Sequence, residues 1–336
     1  MTDMRWVNVC RLLTIQVVLI GSVVTAEEKT FTVRDTLGEP MASRDDARQC
    51  LQGLCWKPAE FAVTVEVAEN AEHHAVVRFP SPIHTGDEIN DRVALIWHRP
   101  ANGDVNKPLP AMVVVHESGS AMPVGKLFAR RFADKGMHAF LIHLPNYGLR
   151  RRDGTKPTGE KFLLAMRQAI ADVRRARDAV ACLPGIDPQR ISLQGTSLGG
   201  FVTATTAGLD RGYDQVFIML AGGDLYGLME SGKREAAELS QRLADAGYSG
   251  DKLRDLMWTI EPTRLADRVD RQKTWLYSAE QDTVVPMANA LAFKKAAGLD
   301  DDHHIRLPGD HISTIVFLPV ILDHVIKQVG VTPETP

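Results

Sequence analysis

Three residues in this chain have the types and the order needed for nucleophilic acyl transfer. Ser197 sits in Gly195-Thr196-Ser197-Leu198-Gly199, a G-x-S-x-G pattern. A serine hydroxyl is a poor nucleophile until a base takes its proton, and the base needs an acid to orient it. Asp282 lies in Ala279-Glu280-Gln281-Asp282-Thr283-Val284-Val285-Pro286, 85 residues after the serine (282 − 197). His311 closes Pro308-Gly309-Asp310-His311, 29 residues further on (311 − 282). The glycines have a physical role. A serine at a sharp strand-to-helix turn holds strained backbone, and side chains two positions either side would collide with neighbouring elements.

Such a trio works only if the fold gathers it, and the sequence pattern supplies a means. Residues 111–116 form an unbroken apolar run with three valines, as expected of a strand buried on both faces. A helix is expected over 124–135, a strand over 137–143, and a long helix from Pro157 to Pro184. Strands follow at 190–194, 215–220, 274–278 and 304–307, with helices at 198–208, 287–297 and 312–327 between and after them. Alternation of this kind forces a mostly parallel sheet with helices on both faces. Short β-rich segments at 61–67, 75–79 and 92–97 precede it, and residues 27–58 read as a polar, irregular N-terminal extension. Ser197, Asp282 and His311 each fall just beyond the C-terminal end of a strand, the edge where open parallel sheets bind ligands.

Two stretches carry subsidiary expectations. Residues 224–270 interrupt the rhythm with polar helical sequence and are expected to form a cap over Ser197. Leu239, Leu243, Leu253, Leu256 and Met257 then need an apolar surface to cover. Trp258, Met257 and Tyr226 are candidate pocket residues there, with packing between cap helices as the alternative. On the long helix, Arg167, Arg174, Arg175 and Arg177 read as a solvated face.

Rival residues exist. Asp224 also follows a strand and is a second candidate acid, whereas Glu280 is expected to face solvent. His116 is expected to brace the loop after 111–116, and His143 to lie at the core edge. His303 and His304 precede the last strand, at the opposite end of the sheet from His311. The adjacent pairs His73-His74 and His303-His304 point to opposite faces of a strand, so neither suggests a zinc site.

The order Ser, Asp, His, with these spacings and contexts, resembles the α/β-hydrolase family. Within that family it is similar to the dienelactone-hydrolase-like and acetyl-xylan-esterase-like serine esterases. The resemblance spans roughly residues 90–328. It implies an α/β-hydrolase fold with Ser197 as nucleophile, Asp282 as acid and His311 as base, and it implies no metal or organic cofactor. It places one oxyanion donor at the Leu198 amide and a second in His116-Glu117-Ser118-Gly119-Ser120, at Ser118. Glu117 departs from the pattern, because many members have glycine there. Dienelactone hydrolases carry a glutamate in this loop but pair it with a cysteine nucleophile, and residue 197 is serine. The implied substrate is a small-molecule or carbohydrate-linked ester. An amide or peptide hydrolase with the same trio stays open, since fold and trio do not set the leaving group. So does a binding protein that keeps the fold without turnover.

Composition bounds the rest. The chain has 336 residues, 44% hydrophobic and 24% charged, with a net charge of −3, the mix of an ordinary globular protein. Interspersed charge gives no basic face for nucleic acid. Residues 1–26 read as a secretory signal peptide: Arg5 and Arg11, an apolar run over 12–24, then Val24-Thr25-Ala26. The run is shorter than the ~20 residues that span a bilayer, so the mature chain is expected to be secreted or periplasmic rather than anchored. In an exported chain, Cys50 and Cys55 are candidates for a disulfide, with three unpaired thiols including Cys182 as the alternative.

Overall fold

Ten strands form one sheet in the order β1-β2-β3-β4-β6-β5-β7-β8-β9-β10. This computed structural model describes residues 28–39, 42, 44–67, 73–100, 107–151 and 157–331. The expected leader at 1–26 lies outside the described residues. β1 (Glu28–Arg34), β2 (Glu60–Val67), β3 (Ala75–Pro80) and β4 (Arg92–His98) are antiparallel neighbours, and β4 is antiparallel to β6 (His138–His143). From β6 onward every pairing is parallel, through β5 (Leu109–Val115), β7 (Ile186–Thr196), β8 (Val216–Met219), β9 (Thr274–Ala279) and β10 (His304–Leu307).

Helices cover both faces, and alternate residues of each central strand feed two separate cores. Val113, Val115, Leu193, Ile218 and Leu276 pack on one side, against α3 (Gly159–Ala181), α4 (Leu198–Asp210) and α8 (Met287–Ala297). Met112, Val114, Phe217, Met219 and Tyr277 pack on the other, against α2 (Pro123–Asp134) and α9 (Leu318–Val329). The last expected helix is split, because its first turn is a 3-10 segment, Ser313–Phe317.

The described residues of the N-terminal stretch include regular elements. β1 adds an edge strand in register with β2, and α1 (Asp45–Leu54) buries Ala47, Cys50, Leu51 and Leu54 in the first core. This packing overturns the solvated reading of the arginines on α3. Arg174 and Arg175 are buried. Arg174 binds Asp210 at 2.6 Å and Asp178 at 3.1 Å, while Arg175 binds Asp35 at 2.6 Å. Thr36 donates to Asp178 through both its amide and its hydroxyl, so the turn after β1 is stitched to α3. The charges are buried because β1 and α1 cover that helix face, and each guanidinium brings its counter-ion with it.

The expected Cys50–Cys55 disulfide is absent: both are free thiols, as is Cys182. Cys50 sits on the buried face of α1, with Sγ 3.7 Å from the Thr259 carbonyl oxygen. Cys55 lies just past the end of α1 in extended backbone, with φ −89° and ψ 153°. Between β8 and β9 the chain forms α5 (Leu225–Ser231), α6 (Glu235–Asp245) and α7 (Gly250–Trp258). No helix among the described residues is long and apolar enough to cross a membrane.

Candidate active site

β7 ends at Thr196 and α4 begins at Leu198, so Ser197 alone makes the turn. Its φ of 53° and ψ of −116° lie where side-chain-bearing residues rarely sit. Neighbouring glycines permit that geometry. A Cβ on Gly195 would strike the Gly199 carbonyl and Thr203 Oγ1, and one on Gly199 would strike the Val115 carbonyl. The Ser197 amide donates to the Met219 carbonyl at 2.9 Å, which anchors the turn to β8.

The structure brings Ser197, Asp282 and His311 into one chain of hydrogen bonds. His311 Nε2 lies 3.0 Å from Ser197 Oγ, and His311 Nδ1 lies 2.6 Å from Asp282 Oδ2. Asp282 is buried, and its other oxygen accepts the amides of Val284 and Val285 at 2.8 Å each. A carboxylate so held is fixed in direction, and its bond to Nδ1 of His311 turns Nε2 toward the serine hydroxyl. The two loops are also tied together, since the Gln281 amide donates to the Gly309 carbonyl at 2.9 Å. Asp310 locks the histidine turn by accepting the amides of Ile312 and Ser313, and these bonds hold its carboxyl below the usual range.

Leu198 opens α4, and the first amides of a helix have no intrahelical acceptor. Ser118 lies in the loop after β5, half-buried, with Gly119 next to it at φ +108°. Ser118, Gly119 and Leu198 line a cavity of about 560 Å³, which Ser197 itself does not line. That loop is braced from below. The His116 ring is fully buried; Nδ1 donates to the Glu117 carbonyl at 2.6 Å, and Nε2 accepts the Leu144 amide at 3.1 Å. Burial pushes His116 down to about 4, so the ring stays neutral in this role. The Glu117 carboxylate turns away from the serine. It accepts the amides of Val124 and Gly125 at 2.8 and 2.9 Å, capping α2, whose own N-cap Met122 has no side-chain acceptor.

The rival residues have other partners. Asp224 caps α5 through the Gly227 amide at 3.1 Å, and Glu280 is exposed. His143 is buried and pushed down to about 3, chiefly by burial. His303 faces the Thr274 carbonyl, and His304 bonds Ser278 Oγ at 2.6 Å. Among the described residues no cluster of three metal-binding side chains gathers.

The expected pocket residues have other surroundings. Trp258, Met257 and Tyr226 do not line the cavity. Met257 is buried in the first core with Leu243, Leu253 and Leu256, because α7 packs inward on α5. Trp258 is 47% exposed and lies against the Arg264 guanidinium, and the Tyr226 hydroxyl donates to Glu230. From the cap segment it is α6 that reaches the cavity, through Leu239 and Arg242. The other wall is the start of α3, with Phe162 and Met166, and the floor includes Asn146 and Tyr147. Asn146 and Tyr147 follow the C-terminal end of β6, and the sheet-edge rule that singled out Asp282 applies equally to them.

No protein-family model matches the chain, and a search of curated protein sequences finds no match. Solved structures do match. An acetyl xylan esterase from Paenibacillus sp. R4 aligns with a TM-score of 0.59 at 16% identity, over 85% of this chain and 92% of that one. Acetyl xylan esterase 1 from Thermoanaerobacterium sp. JW/SL YS485 aligns with a TM-score of 0.61 at 13% identity, over 87% and 96%. A 2,6-dihydroxy-pseudo-oxynicotine hydrolase aligns with a TM-score of 0.52 at 14% identity, over 72% and 65%. At these identities the likeness is one of fold, and it agrees with the sheet order and the strand-serine-helix turn: the chain has the α/β-hydrolase fold.

Proposed function

We propose that this protein is a serine hydrolase of carboxylic esters that works through an acyl-enzyme on Ser197. The observation that carries the reading is the continuous chain from Ser197 Oγ to His311 Nε2 and from His311 Nδ1 to Asp282. In the first half-reaction Ser197 Oγ attacks the ester carbonyl while His311 takes its proton. The oxyanion meets the Leu198 amide and the loop at Ser118; one such donor contributes about 2.7–4 kcal/mol to the transition state. His311 then gives the proton to the departing alkoxide. In the second, water attacks the acyl-enzyme with His311 again as base, releasing the acid and restoring Ser197. Asp282 keeps the imidazole in its tautomer and stabilises the imidazolium.

The choice of ester over amide is supported by the fold it shares with two proteins that carry the name acetyl xylan esterase. The leader-like sequence at 1–26 supports action outside the cytoplasm on a small-molecule or carbohydrate-linked ester. The test is a screen of purified protein against p-nitrophenyl esters, acetylated xylan and peptide amides, with Ser197→Ala alongside. Ester turnover that Ser197→Ala lowers by several orders of magnitude is expected. Turnover of amides alone would replace this reading with an amidase, and no turnover of either would leave a binding protein.

A further inference from the structure

The cavity beside Ser197 has two boundaries that differ in chemistry. Leu198 and Ser118, at the oxyanion positions, both line it, whereas Ser197, His311 and Asp282 do not, so it adjoins the reacting centre from the oxyanion side, away from the base. A tetrahedral intermediate on a serine carries three substituents besides the serine oxygen: the oxyanion, the leaving alkoxide and the acyl group. The alkoxide must lie against the base that protonates it, here His311 Nε2. A cavity that meets the oxyanion positions but lacks the base therefore flanks the remaining substituent, the acyl group.

Its size and walls say what kind of acyl group fits. At about 560 Å³ it is roughly nineteen times the ~30 Å³ that one water molecule occupies in the liquid, and a two-carbon acyl group would leave most of it empty. One wall is the first turns of α3, where Phe162, Ala165, Met166 and Ala169 present apolar side chains; Leu239 faces in from α6. Ala169 is buried, Phe162, Ala165, Met166 and Leu239 are half-buried, and the carboxylates of Glu235 and Glu238 are exposed. Asp87 and Arg242 also line the cavity and are half-buried, so the apolar surface is gathered on α3 and Leu239, with a few polar groups around it, as in sites that take an apolar ligand. Two alanines on the α3 wall leave room where larger residues would fill it.

Resting on the ester reading above, we propose that the space between α3 and α6 is an acyl site for a medium-length apolar chain, longer than acetyl. Binding there removes methylene groups from water, and the leaving group contributes nothing to the preference.

The experiment is kcat/KM for p-nitrophenyl acetate, butanoate, hexanoate and octanoate, which share one leaving group, on the full chain and on Ala165→Phe and Leu239→Phe. In the unaltered protein kcat/KM should rise by up to about fourfold for each methylene that enters the cavity. Each substitution fills the site from an opposite wall and should lower the octanoate-to-acetate ratio at least tenfold. Using both keeps the test valid if one variant does not fold. Acetate preferred over the longer esters, or ratios unmoved in a folded variant, would overturn the acyl site while leaving the ester reading intact. Failure to turn over any ester, with Ser197 unreactive to a fluorophosphonate, would remove both.

Discussion

Asp282 and His311 lie on separate loops 29 residues apart in sequence, and one 2.6 Å hydrogen bond joins them at the edge of β9 and β10. The bond is oriented from the acid side, because the second carboxylate oxygen is already committed to two backbone amides. Asp282 therefore has one oxygen and one direction available for the imidazole.

Asp282→Asn should keep the fold and lower kcat by about 10⁴, since an amide placed there favours the wrong imidazole tautomer. Asp224→Asn should leave kcat within about threefold, because that carboxylate caps α5. Steady-state kinetics on both variants decide the matter; the reverse ranking would move the acid to the earlier strand.

Glu117 acts on the site through the loop it holds. Glu117→Ala removes the acceptor for the Val124 and Gly125 amides and should cost about 0.5–2 kcal/mol of stability. Loosening the loop at Ser118 should also lower kcat with little change in KM, as expected for a contact made mainly in the transition state. Urea melts and kinetics measured together test this, and a loss confined to KM would contradict it.

Four buried histidines give the fold a pH dependence of known sign. Burial pushes His116, His138 and His304 down to about 4 and His143 to about 3. The unfolded chain binds their protons near pH ~6.5, so it gains protons first as the solution is acidified. Stability is fully present above pH ~6.5. It should fall by up to about 1.4 kcal/mol per pH unit for each such group between there and pH 4. Urea midpoints at pH 7.5, 6 and 5 should decline steadily, and equal midpoints would contradict the burial of these rings.

Arg174 is buried between Asp178 and Asp210. Arg174→Ala strands two carboxylates and should cost about 3–5 kcal/mol. Arg174→Met with Asp210→Asn should recover part of the loss. Equal melting of Arg174→Ala and the unaltered chain would contradict the burial of this ion-pair cluster.

What was legible in the sequence divides along a physical line. Ser197, Asp282 and His311 could be read because each sits in a local motif whose backbone demands certain residues, and because parallel strands deliver their following loops to one edge. The arginines of α3 were misread because a charged helical stripe looks the same whether it meets water or carboxylates. Arg175 meets Asp35 from 140 residues away, and only the docking of β1 brings them together. The apolar character of Trp258 and Met257 fits a pocket and core packing alike, and only the fold shows one exposed and the other in the core. The cavity wall on α3 is hidden in the same way, since the periodicity that buries Ala169 and Val173 does not say which end of the helix borders the cavity.

The most direct measurement is mass spectrometry of the folded protein after reaction with a fluorophosphonate probe, which bonds covalently to a serine activated by an adjacent base. One adduct per chain is expected, on the peptide carrying Ser197, lost in Ser197→Ala and strongly slowed in His311→Ala. An unlabelled folded protein, or an adduct that persists on another residue in Ser197→Ala, would contradict Ser197 as the nucleophile.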